Sequence, residues 1–455
     1  MNHGYSLFLP KNFPHLLDDI IVNRMPTISN RFAKIKPSAI RQAQIEFSKR
    51  DDSVEAINVA VGNVQLPMHP AMQERMFHLD SSASPFRDGV VGYTETVGTK
   101  ESNAAVRRIL EASILETSNI YTHITSGGSE AMEFMIMGIG ERGRPLLVID
   151  PIYSNYQSIA QRVGVSLVSL PRELNDDGTF TSIHPDLIEE LILKHHPCGL
   201  LVIPYDNPTG TIMSKEILVA LARLCVKYDM WLVSDEAYRE LYYGDTSLVS
   251  IWQISEQDTP GISGHRISIE SASKVWNACG IRIGAIVTDN EYFHTQAVAE
   301  HTSNLCASAI GQYIFGAIAE ESVDDIRSWF AKQKNYYRGL IKNTVKDIQL
   351  HIPNSIVTPP ESALYSVVDV RKIVDEHFSA LDFCIYCAQT GKVEIDNTWY
   401  TLLMAPMSGF YTPGIYSHDP GRTQMRIAYV QEEKLIAKVP LLLEKLLGSY
   451  TSHKK

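Results

Sequence analysis

The chain has no run of about 18 apolar residues, which leaves no candidate for a membrane-spanning helix. It has no dense block of lysine and arginine. Its 41 basic residues are outnumbered by 52 acidic ones, for a net charge of −11. Nucleic acid is therefore not an expected partner, and the terminal His-Lys-Lys is too short to change that. Cysteine is sparse, with six in 455 residues. Four are scattered, and Cys384 and Cys387 form one CxxC. A zinc site needs a second ligand pair and a redox dithiol needs a βαβ context. Neither surrounds this motif, so the pair is read as buried thiols one helical turn apart and no metal is expected. The opening MNHGYSLFLPKNFPHLLDDII has no basic stretch followed by a continuous apolar one, and Asp18 and Asp19 interrupt it. A secretory signal is not expected, and cytoplasm is the expected compartment. There is no internal repeat and no low-complexity segment.

What is present is an ordinary globular composition, 44% hydrophobic and 20% charged. The length suggests two domains. In the middle of the chain, short apolar segments alternate with helical patterns. PLLVID (145–150), VSLVSL (165–170), GLLVIPY (199–205), MWLVSDEAY (230–238), RISIES (266–271) and GAIVTD (284–289) read as strands. SIHPDLIEELILKHH reads as a helix with Ser182 as a candidate cap, and 214–229 as an amphipathic helix opened by Ser214. This alternation predicts an α/β fold with a mostly parallel sheet covered on both faces. Residues 66–324 are expected to form the large domain. Residues 1–65 and 325–455 are expected to join in a smaller α+β domain.

Ligands of open α/β sheets bind at strand ends, and five stretches there carry chemistry. ITSGGSEAMEF (124–134) places Gly128 and Ser129 at the start of an apolar helix. That suits a phosphate, or else is a plain loop with Ser129 as helix cap. DPIYSNY (150–156) puts Tyr153 after a strand, to stack on a planar ligand or simply to pack. YDNPTG (205–210) is a turn containing Asn207. SDEAY (234–238) ends a strand with Asp235, followed by Tyr238. SASKVWNACGIRIG (271–284) offers Ser271, an amine at Lys274 and a guanidinium at Arg282. Lysine is seldom buried without a partner or a task. An amine of lowered pKa forms a Schiff base with an aldehyde, and a guanidinium suits a phosphate. Together these groups match the needs of pyridoxal 5'-phosphate.

In this ordered set of motifs, from about residue 55 to 430, the chain resembles the class I/II aminotransferases of pyridoxal-phosphate fold type I. The resemblance implies an aspartate-aminotransferase-like fold with a seven-stranded-type sheet. It implies that Lys274 holds the cofactor's aldehyde and shuttles the substrate proton. It implies that Asp235 pairs with the ring nitrogen, and that Asn207 and Tyr238 bond the phenolic oxygen. Tyr153 is then the stacking ring, and Gly128, Ser129, Ser271 and Arg282 hold the phosphate. Arg426, in MRIAYV (425–430), is the expected clamp for the substrate's α-carboxylate, with Gly62 and Asn207 beside it. Tyr93, in GYTETVG, is expected to reach the phosphate of a neighbouring subunit, which implies a homodimer with shared active sites. The implied reaction is ping-pong transfer of an amino group from an L-amino acid to a 2-oxo acid. A lyase, synthase or decarboxylase on the same scaffold is the alternative. A ligand-sensing regulator is disfavoured, because residues 1–60 show no DNA-binding module.

The sequence departs from the family in places. Ser102 and Asn103 stand where a Leu-Arg pair is usual. Extra residues follow Ile395, in DNTWYTLLMAPMSGFYTPG, near the expected substrate entrance. No arginine stands near EHTSNLCASAIGQ (300–312), where one subgroup reads a second substrate carboxylate, so acidic substrates are less expected. Glu300 and His301 are either solvated or contacts for a polar or basic side chain.

Overall fold

The computed structural model describes residues 26–33, 39–113, 118–244 and 247–453. The chain divides into two compact units, residues 1–37 and 38–455. In the first, the described element is a short helix, Asn30–Ala33. Of the expected segment 1–65, residues 1–25 and 34–38 lie outside the described residues.

The second unit is built around a seven-stranded sheet. Its spatial order is Tyr121–Thr125, Gly284–Thr288, Arg266–Ser271, Trp231–Asp235, Gly199–Val202, Leu146–Ile149 and Leu167–Leu170. Gly284–Thr288 pairs antiparallel with both of its neighbours, and the remaining pairings are parallel. Strands such as LLVI and GLLV are buried along their whole length, as continuous apolar runs require when helices cover both faces. One face packs against Gly128–Ile139 and Ser154–Val163 through Met135, Ile136, Tyr156 and Ile159. The opposite face contributes Leu147, Leu200 and Leu232 to the main core, together with Leu218 and Leu221 of the helix Lys215–Lys227.

Helix starts follow local chemistry. Ser214 caps Lys215–Lys227 by accepting from the Ile217 N–H, as its position suggests. Ser182 does not cap the preceding helix. That helix runs Pro185–His195, and His184 at its cap position makes no side-chain bond. Proline at the first helical position sets the start instead.

Two smaller sheets complete the unit. Tyr365–Asp369 pairs antiparallel with Gln424–Ala428. Glu55–Asn58 runs parallel to Thr398–Leu403. The residues after Ile395 form a hairpin here, with Asp396 and Asn397 both at positive φ, the conformation a two-residue turn demands. The extra residues thus extend a sheet first and approach the site only later, at Phe410. The long helix Val323–His351 is capped by Ser322. The CxxC lies on the helix Ala380–Gln389, and both thiols are buried and free. Among the described residues there is no cluster of potential metal ligands, and no helix is long and apolar enough to cross a membrane.

Candidate active site

The carboxyl ends of the central strands open onto a cavity of about 650 Å³, within the range that holds a small molecule. Gly62, Gly128, Ser129, Tyr153, Asn207, Asp235, Tyr238, Ser271, Lys274, Arg282 and Arg426 all line it. Tyr93 does not; it is 81% exposed, beside exposed Val90 and Val91.

Asp235 ends its strand and is almost fully buried. Its Oδ2 accepts from the Tyr156 hydroxyl at 2.8 Å and its Oδ1 from the Ala237 N–H at 3.1 Å. Burial pushes its pKa up to about 6, against the opposing pull of the Tyr156 hydrogen bond and the nearby Lys274 charge. A carboxylate so placed gains from a cation presented by a ligand. Lys274 follows the next strand, Arg266–Ser271, and its Nζ donates to the Gly62 carbonyl. Gly62 is required by this closeness. A Cβ there would collide with the Tyr365 hydroxyl and sit 3.0 Å from Nζ.

Gly127 takes φ +84° at the cap of the helix Gly128–Ile139. A Cβ on Gly127 would run into the Arg282 guanidinium, so the glycine lets that cation close over the turn. Arg282 sits at φ 58°, a costly conformation for a side-chain-bearing residue. Its guanidinium donates to the carbonyls of Cys279 at 3.0 Å and Ser126 at 3.4 Å. Ser129 is therefore not the helix cap. Glu130 does occupy the first turn, where its Oε2 accepts from the Ser126 N–H.

Arg426 is 2% exposed. It donates to Asn207 Oδ1 at 2.8 Å and the Ala60 carbonyl at 2.6 Å. It lies between the rings of Tyr365 and Phe410, at 4.4 and 4.7 Å. Its Nε has no protein partner, so the buried group still has a donor to satisfy. Tyr153 receives a hydrogen bond from Asn155 at 2.9 Å, and burial pushes its pKa up to about 12. The Tyr238 hydroxyl lies 2.6 Å from that of Tyr365.

Sequence reasoning missed five groups. Tyr156 was in view, three residues after Tyr153 within the same quoted motif. Tyr365 opens a late strand, and Phe410 comes from the segment with extra residues. Arg41, with Gln44, lines the cavity from the helix Ala39–Phe47. Conversely, His301 does not face the cavity. It is fully buried, with Nδ1 2.7 Å from His123 Nε2. Glu300 is exposed and does not line the cavity.

A model of the family described as aminotransferase class I and II matches residues 70–411. The chain belongs to this family. It is 21% identical over 412 residues to a probable aspartate/prephenate aminotransferase of Aquifex aeolicus, covering 90% of this chain and 96% of that one. It is 27% identical over 260 residues to a probable kynurenine–oxoglutarate transaminase of Saccharomyces cerevisiae, covering 55% and 56%. A single mutant of Thermus thermophilus aspartate aminotransferase shares the fold, with TM-score 0.75 at 20% identity over 93% of this chain and 100% of that one. As a class I/II aminotransferase, the protein is a transaminase that uses pyridoxal 5'-phosphate. The cavity fits that cofactor. It offers a lysine amine, a buried carboxylate in need of a cation, and a glycine turn closed by a guanidinium.

Proposed function

We propose that the residues lining this cavity divide the transaminase reaction among them as follows. Pyridoxal phosphate supplies an aldehyde that condenses with amines and a ring that draws electrons from the adjoining carbon. Lys274 holds that aldehyde at rest. Its Nζ would also be the base that removes the substrate's Cα proton. Asp235, kept in place by Tyr156, holds a proton on the ring nitrogen. Gly128, Ser129, Ser271 and Arg282 bind the phosphate through N–H, hydroxyl and guanidinium donors. Tyr238 and the Asn207 amide nitrogen donate to the phenolic oxygen, and Tyr153 covers the ring. Arg426 binds the α-carboxylate. The single observation that carries this reading is the convergence on one cavity of eleven residues to which the resemblance gives roles.

The substrate's side chain is left with Arg41, Gln44, Asn63 and Asn155. Four cations line the cavity against one carboxylate, Asp235. Arg41 is the cation without another assignment, and its hydrogen bond is to Gln44 at 3.5 Å. This supports a donor or acceptor with an acidic or polar side chain, against the expectation drawn from residues 300–312.

The dimer belongs to the same proposal. Tyr93, Val90 and Val91 are exposed apolar surface, and a second copy would cover them. Light scattering at twice the chain mass supports it; a monomer with full activity excludes shared sites. The small domain is read as the two smaller sheets with the helices Val323–His351 and Val439–His453. The cytoplasm remains the proposed compartment. The decisive experiment is the visible spectrum of the protein with pyridoxal phosphate and then a panel of L-amino acids. Conversion of the lysine-linked cofactor to its amine form by one of them supports the reading and names a donor. Failure to form any lysine-linked band overturns it.

A further inference from the structure

Tyr365 lies outside the set that the motifs single out, yet it touches three members of it. It opens the strand Tyr365–Asp369 and is 2% exposed. Its hydroxyl is 2.6 Å from that of Tyr238, with the rings edge to face at 5.6 Å. Its ring face is 4.4 Å from the Arg426 guanidinium carbon. Its hydroxyl also fills the space that a side chain at Gly62 would need, beside Lys274 Nζ. One side chain therefore joins the residue assigned to the α-carboxylate and the residue assigned to the phenolic oxygen.

We propose that Tyr365 is a positioning residue for both: its ring orients Arg426, and its hydroxyl directs the Tyr238 proton toward the cofactor. The proposal rests on the aminotransferase reading above. Two phenols 2.6 Å apart share one hydrogen bond, so one is donor and the other acceptor. A cation on the ring face of Tyr365 draws charge from that ring and makes its hydroxyl the better donor. Tyr238 then accepts, and its own O–H is free to point into the cavity. A hydroxyl that accepts is also a stronger donor in turn. A phenylalanine at 365 keeps the ring on Arg426 but abolishes this direction. Tyr238 then donates less well to the phenolic oxygen, and that oxygen's negative form is stabilised less.

Other ionisable groups around the pair are Lys274, Cys279, Arg282 and Arg41 in the cavity wall, Asp235 at its strand end, Tyr153, and Tyr337 from the long helix. Y365F leaves all of them in place, so a change in titration reports the phenol pair.

The test uses the holoenzyme, wild type and Y365F, and follows the absorption of the lysine-linked cofactor against pH. The expected result is an apparent pKa raised by about half to one unit in Y365F. With the donor found from the spectral panel, KM stays within about twofold while kcat falls about threefold or more. Superimposable titrations of the two proteins overturn the proposal, and this comparison decides it alone. Y365L, checked by thermal melting, sharpens it with a KM raised about tenfold. A wild type that never forms the lysine-linked band overturns the aminotransferase reading instead, which separates the two failures.

Discussion

At the inner end of the cavity, Asp235, Ser271 and Lys274 stand on or just past the ends of adjacent strands in a buried parallel sheet. At the outer end, Arg41 and Gln44 stand on a nine-residue helix and are exposed. The inner groups are fixed by a ladder of backbone hydrogen bonds and by specific partners. Asp235 has Tyr156 and a backbone N–H, and Arg426 has Asn207, Ala60 and two rings. Arg41 has one long contact within its own helix. The chemistry common to a family needs preorganised groups. The choice of substrate side chain needs groups that can be exchanged without disturbing the sheet.

The comparison breaks most sharply at Lys274. K274A should lower kcat by about 10⁴-fold and abolish the lysine-linked absorption band, whereas R41Q should leave that band intact. A retained band in K274A would assign the aldehyde to another amine. D235N should cost about 10²–10³-fold in kcat, read in single-turnover mixing with excess enzyme. G127A should weaken cofactor binding to the apo protein about 10- to 100-fold. The new Cβ meets Arg282, and alanine resists φ +84°. Fluorescence titration with pyridoxal phosphate measures it, and unchanged affinity would remove Arg282 from the phosphate site. R41Q should raise KM about tenfold for an acidic donor and within twofold for a neutral one, an effect that shrinks with added salt. Equal KM changes for both donors would place the side-chain contact elsewhere.

The smallest effect is a pH dependence. Asp235 has its pKa raised to about 6, above the ordinary aspartate value of 3.8, because burial disfavours its charge. The folded apo protein therefore keeps this proton longer than the unfolded chain. The stability contributed by the protonated group is full below about 4 and is lost as pH rises through about 6. A ring-nitrogen cation favours the ionised carboxylate, so cofactor affinity should fall as pH drops through about 6. Between about pH 7.5 and 5.5 the loss should be about three- to fourfold greater in wild type than in D235N. Parallel curves would mean that Asp235 does not meet the ring nitrogen.

Legibility in the sequence follows the same division. The sheet was readable because fully apolar strands such as GLLV and LLVI have one plausible burial. The inner residues were readable because each lies in a short motif at a strand end, as in SDEAY or SASK. Tyr365, Phe410 and Arg41 carry no such local mark. They reach the cavity from elements distant in the chain, and only the fold brings them there. Tyr156 was quoted within DPIYSNY, but its target, Asp235, is 79 residues away. Ser182 was misjudged as a cap because a proline three residues later outweighs a serine's capping tendency. His301 was expected to be solvated or to contact a polar or basic side chain, but it is buried, because its partner His123 lies 178 residues earlier.

The hydrogen bond from Arg426 to the Ala60 carbonyl spans 366 residues. Its consequence concerns biogenesis. In synthesis Ala60 precedes its guanidinium partner by those 366 residues. At about 5–20 residues per second, Ala60 and Lys274 wait many seconds before Arg426 is made. During that interval all seven strands of the large sheet are available, while the strand that carries Arg426 is not. A nascent chain of this protein therefore holds every strand of its large sheet well before it holds the strand that carries Arg426.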